Sequence, residues 1–252
     1  MARRRFFVDQ VRKGQAEIGG ESAHHLTRVL RVEAGQKFEI SDGARVWLAS
    51  VDSARKDLVR FSVLEELAPA PQLPAVTLYL ALIKFDRFEW AVEKATELGV
   101  ARIVPFEATR SERGLFEGSR KRLERWRRIA HEASEQSRRL RPPEIAETVR
   151  FAEALRDAST HRVWLDEEPG APPLVSAFAF SPDSEASAAL MVGPEGGWTD
   201  AERGSFGPAG WTAASLGPSV LRAETAVCAA LAVVNQMWLS RVSAAAGLFR
   251  RG

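Results

Sequence analysis

Two stretches near the C-terminus carry residue types and spacings that could do chemistry. The first is Met191-Val192-Gly193-Pro194-Glu195-Gly196-Gly197-Trp198, and the second is Ser215-Leu216-Gly217-Pro218-Ser219-Val220-Leu221-Arg222-Ala223-Glu224-Thr225-Ala226. Each is an apolar run that ends in a Gly/Pro loop and leads into a helix-like pattern. A strand that stops at Gly193-Pro194 leaves backbone N–H groups unpaired by the sheet. Gly196 and Gly197 let that backbone turn tightly and approach a ligand with no Cβ in the way. Two such loops on neighbouring strands of an α/β sheet form one crevice at the strands' carboxyl ends, where such sheets bind ligands. Leu165, Leu216, Val220 and Leu221 offer that crevice apolar contact, and Arg222 and Glu224 set a cation and a carboxylate at the opening of the last helix. Either loop alone reads equally well as a plain connection; the pair, with Arg-x-Glu-Thr, favours a site. The phosphate-cradling patterns G-x-x-x-x-G-K-[ST] and G-x-G-x-x-G do not occur.

The GPEGG loop at 193–197 and the LG-x-x-x-LR-x-ET segment at 216–225 closely resemble the two signatures of the 16S rRNA uracil N3-methyltransferases. These belong to the SPOUT (trefoil-knotted) superfamily and use S-adenosylmethionine. The resemblance spans nearly the whole chain. It takes in HHL-x-RVLR at 24–31, KFDRFEWAVEKATELGV at 84–100 with Lys84, Glu93, Lys94 and Glu97, and A-x-EQ at 133–136. It implies an α/β fold: a SPOUT trefoil-knot domain with a mainly parallel sheet over 75–252, preceded by a small PUA-like RNA-binding β-barrel over 1–70. It implies cofactor contacts from Leu165 and Val192, from Gly193, Pro194, Glu195, Gly196 and Gly197, and from Leu216, Gly217, Val220, Leu221, Arg222 and Thr225. Relatives more often carry Phe or Leu at the position of Trp198, a change of bulk at the pocket rim. The partners implied are 16S rRNA within the 30S subunit and a second copy of the chain.

Methyl transfer needs a nucleophile held in line with the donor methyl and a route for the nucleophile's proton. Uracil N3 lies between two carbonyls, and on deprotonation its negative charge spreads onto the flanking oxygens, where a cation stabilises it. Arg222 is the candidate for that role. Glu224 could serve as base, or could hold Arg222 and cap the helix. Because N3 takes part in Watson–Crick pairing, the target has to be unpaired or flipped out. Methylation of the ribose 2′-oxygen or of another base position, and RNA binding without catalysis, stay open as alternatives. Cys228, the one cysteine, falls in an Ala/Val-rich helical run, which suits a small buried hydrophobe better than the covalent route to uracil C5.

The elements that must position these residues read as follows. Residues 5–8, 37–41, 45–51 and 57–64 are rich in β-branched and aromatic types, with Asp42-Gly43 as a hairpin turn and a short helix over 24–31. Pro69-Ala70-Pro71-Gln72-Leu73-Pro74 reads as a stiff linker and domain boundary. From 76 onward strands and helices alternate, which predicts a mainly parallel sheet. Strands are expected at 76–83, 100–106, 162–165, 188–192 and 211–216. Helices are expected through Leu98, over 119–140 up to Pro142-Pro143, from Thr199 with Glu202 placed for a capping box, and over 224–239.

The formal net charge of +2 conceals two basic segments. Residues 1–31 hold seven Lys/Arg against three Asp/Glu, and residues 110–141 hold eleven against five. Concentrated arginine points to a polyanion partner. Arg5, Arg28, Arg31, Arg110, Arg138 and Arg139 are the candidate RNA contacts, Arg28 and Arg31 sharing a helical face. His24-His25 invites a metal reading, but adjacent residues point apart and no Cys/His cluster supports it. Asp166-Glu167-Glu168 reads as a solvated loop, and His131 as a packing or surface residue. With one cysteine, no apolar signal core and no run of about 18 apolar residues, a cytoplasmic protein without metal or membrane span is expected.

Overall fold

The computed structural model describes residues 4–68, 73–168, 170–178 and 187–245. Most of the expected linker, 69–72, and the basic start at 1–3 lie outside the described residues. The chain forms two compact units. One holds the described residues up to 68 together with His131–Pro142, and the other holds 73–130 and the described residues from Pro143 onward.

The first unit contains β1 (Arg5–Phe7), β2 (Gln15–Gly19), α1 (Gly20–Arg28), β3 (Lys37–Ser41), β4 (Val46–Arg55) and β5 (Leu58–Glu66). The sheet order is β1-β3-β4-β5-β2, with β1–β3 parallel and the other pairs antiparallel. Register shifts in β4 at Leu48/Ala49 and Val51/Ser53 are bulges, which bend and twist the long strand. The sheet curls as a half-barrel around Phe6, Ile40, Val59 and Phe61, closed by Ala23 and Leu26 of α1. Sequence reasoning missed β2, although its burial alternates strictly and QAEIG alternates polar and apolar accordingly. It also placed Arg31 on the α1 face beside Arg28. The helix ends at Arg28, and Arg31 stands beyond it at φ +51°, so the two do not share a helical face.

The second unit opens with β6 (Ala75–Ala81), α2 (Phe85–Glu97), β7 (Arg102–Glu107) and α3 (Leu115–Gln136), of which the residues from His131 on count with the first unit. It continues through β8 (Glu144–Ile145), β9 (Val149–Arg150), α4 (Phe151–Ala154), β10 (His161–Leu165) and α5 (Leu174–Ala177). It ends with β11 (Ser187–Val192), α6 (Asp200–Phe206), β12 (Thr212–Ala214) and α7 (Ala223–Ala245). The strands run in the order β12-β10-β11-β6-β7-β8, with β9 also on β7, and every pair is parallel. One face of the sheet packs Leu78, Leu80, Val163 and Leu190 against Phe88 of α2, Trp126 of α3 and Val227 and Val234 of α7. The other face is aromatic, with Tyr79, Phe106, Trp164, Trp198, Phe206 and Trp211 packed together.

The order of the strands dictates a crossing. β12 lies beyond β10, on the side away from β11, yet α7 packs on α2 and reaches β11. The chain leaving β12 therefore crosses the β10–α5 connection, to which Ser215 is tied by hydrogen bonds with Pro172 and Leu174. No periodicity in the sequence announces this crossing.

The long basic helix stops earlier than its prolines suggest. α3 ends at Gln136, where Arg138 takes a left-handed φ of +55° and Arg139 N–H donates to Ser134 C=O at 3.0 Å. That is a Schellman closure without its usual glycine, so composition gave no stop signal. The segment after it is held by Ser41 Oγ–H, which donates to Leu140 C=O at 2.7 Å.

Candidate active site

Parallel pairing places the carboxyl ends of β10, β11 and β12 side by side, with Leu165 opposite Ala214 and Trp164 opposite both Met191 and Ala213. The loops that follow them enclose a cavity of about 480 Å³, within the range of small-molecule sites. Of the thirteen residues expected to contact a cofactor, twelve line it: Leu165, Val192, the five residues of the GPEGG loop, Leu216, Gly217, Val220, Leu221 and Arg222. Thr225 does not; it is exposed on α7.

The first loop is built by close approach. Gly197 N–H donates to Pro194 C=O at 2.9 Å, closing a tight turn. Gly197 has φ +68°, and a Cβ there would stand 2.5 Å from Glu167 Oε1. A Cβ on Gly193 would stand 2.8 Å from the Trp198 ring. Trp198, where the resemblance set a change of bulk at the pocket rim, lines the cavity from within. It is fully buried beneath the loop, stacked parallel to Phe106 and donating its indole N–H to Leu165 C=O at 2.8 Å. A Phe at this position is smaller and lacks that donor. We expect Trp198→Phe to leave the carbonyl unsatisfied and to lower stability by about 1–3 kcal/mol; an unchanged denaturation midpoint would contradict this.

In Asp166-Glu167-Glu168 the last two side chains are exposed, as expected of a solvated loop, yet all three share one cation. Arg203 of α6 pairs with Asp166 at 3.1 Å, Glu167 at 3.1 Å and Glu168 at 3.6 Å, and donates to Trp198 C=O at 2.9 Å. Hydrogen bonding to Asp166 leads the causes that push the Arg203 guanidinium above its ordinary value. Asp166 and Glu167 line the cavity, so one arginine ties the loop after β10 to the loop after β11. The acidic triplet was visible in sequence, but its cation lies some 35 residues away.

The start of α6 is fixed by the expected capping box between Thr199 and Glu202. Glu202 is buried and also accepts from Thr109 N–H at 2.8 Å, which anchors the loop after β7. Burial alone would raise its carboxyl. The N–H groups of Thr109 and Thr199 outweigh that term, and the group lies below its ordinary value.

The second loop leads into α7, whose first turn begins with Ala226 N–H donating to Arg222 C=O at 2.8 Å. The Arg222 side chain is exposed at the cavity and makes no ion pair among the described residues. Glu224 does not hold Arg222. Its Oε1 lies 4.0 Å from Nε of Arg87, a cavity-lining residue of α2 that sequence reasoning missed, and Arg87 also pairs with Glu195 of the GPEGG loop. The Glu224 side chain is 12% exposed and its Oε2 is buried without a partner. That burial weighs against Glu224 as a base in contact with a substrate. On the same helix Cys228 is half-buried and burial pushes its thiol up, away from a nucleophilic role.

Around Lys94, Glu93 and Glu97 close at 2.7 and 2.8 Å and raise the ammonium to about 12, a surface cluster of α2 with a structural part. The six candidate RNA arginines separate. Arg5 is 11% exposed and bonds Glu39 at 2.8 Å, and Arg138 pairs with the same carboxylate at 3.4 Å. Arg139 is half-buried, its guanidinium lowered to about 10 by burial and then by Arg141. Arg110 donates to Gly196 C=O at 2.9 Å and so supports the pocket loop. Only Arg28 and Arg31 of the six are exposed without a protein partner among the described residues. His131, read as packing or surface, packs edge-on against Phe7 and lies 3.5 Å from Glu135.

Comparison with known proteins agrees with this geometry. Residues 71–235 match the family model of an RNA methyltransferase domain, and residues 18–64 match that of an RNA methyltransferase PUA domain. Ribosomal RNA small subunit methyltransferase E of Bacillus subtilis is 32% identical over 92% of this chain and 95% of its own length. The Synechocystis protein of the same name is 33% identical over 91% of this chain and 75% of its own. The crystal structure of the Neisseria gonorrhoeae enzyme, bound to S-adenosyl methionine, superposes with a TM-score of 0.83 at 27% identity, covering 94% of this chain and 98% of that one. With both units matched and the loops in place at the strand ends, this chain belongs to the RNA methyltransferase family that includes these small-subunit rRNA enzymes.

Proposed function

We propose that this chain transfers a methyl group from S-adenosylmethionine to N3 of a uridine in 16S rRNA. The observation that carries the reading is the cavity itself: two glycine-containing loops at the carboxyl ends of parallel strands, with Arg222 at its edge and without an ion pair among the described residues. The residues present fit the donor. Gly193, Gly196 and Gly197 line the cavity with backbone and no side chain of their own, Leu165, Val192 and Leu216 supply apolar walls, and the volume suits a nucleoside with a short tail. Bound there, S-adenosylmethionine supplies a methyl group on a positively charged sulfur. Arg222 then faces the uracil carbonyls and stabilises the charge that spreads onto them as N3 gives its proton to water. Glu224 acts on the cationic side of the cavity through Arg87.

The unit containing residues 1–70 grips RNA through Arg28 and Arg31, and the unit from 75 onward does the chemistry. The names of the relatives support rRNA of the small subunit as substrate. The chain works as a cytoplasmic homodimer on RNA within the 30S subunit. Light scattering of the full chain checks the dimer, and a monomer at working concentration would remove it. Calorimetry with S-adenosylmethionine checks the pocket: one donor per chain is expected, and no binding would sink the reading.

A further inference from the structure

Both signature loops send a carboxylate to the same guanidinium. Glu195 comes from the loop after β11 and Glu224 from the start of α7, and Arg87 of α2 meets both. Arg87 stands more than a hundred residues from either, on an element that belongs to neither loop. Its helix is firmly seated: Phe88, Ala91, Val92 and Ala95 are buried against the sheet, and α2 packs along α7. Glu224 is nearly buried, and Arg87 is the cation within 4.0 Å of it among the described residues. A carboxylate in that position without its cation is strongly disfavoured.

We infer that Arg87 is a positioning residue for methyl transfer, fixing the start of α7, and with it Arg222, at a set distance from the GPEGG loop. The inference rests on the reading that the cavity holds the donor and that Arg222 serves the acceptor. The geometry gives the reason. Arg222 carries no ion pair of its own among the described residues, so its place depends on the backbone that Glu224 anchors two residues later. A shift of about 1 Å between donor and acceptor groups lowers a rate on the order of a hundredfold, so a tie between the two loops acts on the chemical step more than on donor affinity.

The test is Arg87→Ala and Arg87→Lys in the full chain, each also combined with Glu224→Gln. S-adenosylmethionine affinity is measured by calorimetry and kcat under saturating donor and RNA. For Arg87→Ala, kcat is expected to fall about 100-fold while donor affinity changes less than about fivefold, and Lys restores part of the loss. In the Glu224→Gln background Arg87→Ala costs less than about threefold more, because the two residues act as one unit. A loss of donor affinity in step with kcat would make Arg87 a donor ligand and overturn the inference, as would full additivity with Glu224→Gln. Should Arg87→Ala fail to fold, Arg87→Lys decides by the same split. A wild-type chain that binds no donor would instead break the underlying reading.

Discussion

Arg222→Ala is expected to lower methyl transfer by about 10²–10³-fold, with donor binding and unfolding midpoint close to wild type. The size follows from what the side chain does and does not touch. It is exposed at the cavity and makes no ion pair among the described residues, so its removal leaves no buried charge behind. What it loses is stabilisation of negative charge that exists only as N3 gives up its proton, and such terms fall on kcat. Arg222→Lys keeps the charge but not the planar fork that can meet a carbonyl edge, and should recover a minor part. Steady-state kinetics at saturating donor measure both. An Arg222→Ala enzyme with wild-type kcat would remove this residue from the mechanism.

The largest effect on stability is expected at Glu202. Its carboxylate is 3% exposed and accepts from Thr109 N–H, Thr199 N–H and Thr199 Oγ–H at 2.8–2.9 Å. Glu202→Ala strands two backbone donors and releases the loop after β7 from α6, a cost of about 3 kcal/mol or more. The same group makes a pH prediction. Its folded-state value lies below the ordinary 4.5, so its contribution is complete above that ordinary value. It declines as pH falls through the lowered folded value. Denaturant midpoints of wild type and Glu202→Gln should therefore differ most at neutral pH and converge on acidification below about 4.5. A constant gap across that window would contradict the assignment.

These predictions divide along what the sequence could show. The two pocket loops were legible because their glycines, prolines and apolar flanks sit within a few residues of one another, and the capping box of Thr199 and Glu202 is a four-residue pattern. The partners that hold them were not. Arg87 reaches Glu195 and Glu224 from α2, Arg203 gathers an acidic triplet from another strand, and Thr109 meets Glu202 across 93 residues. No local period encodes such pairs.

Arginine content leaves partners open for a related reason. A run of arginines reads as a surface for phosphate, yet Arg5 and Arg138 are committed to Glu39 and Arg110 to a loop carbonyl. Net charge counts residues and says nothing of the partners a fold supplies. Trp198 shows the same limit at one position: its place after the glycines set it beside the pocket, but nothing local announced its full burial with Gly193 resting on its ring. The crossing before α7 lies further still from any pattern, since it follows from strand order and from where α7 packs.

The most direct test of the central claim is transfer of labelled methyl from S-adenosylmethionine to unmodified 30S subunits, followed by digestion and identification of the labelled nucleoside. The account predicts 3-methyluridine, lost in Arg222→Ala. Label in another nucleoside, or on a ribose oxygen, would contradict the N3 assignment while leaving the pocket and its donor in place.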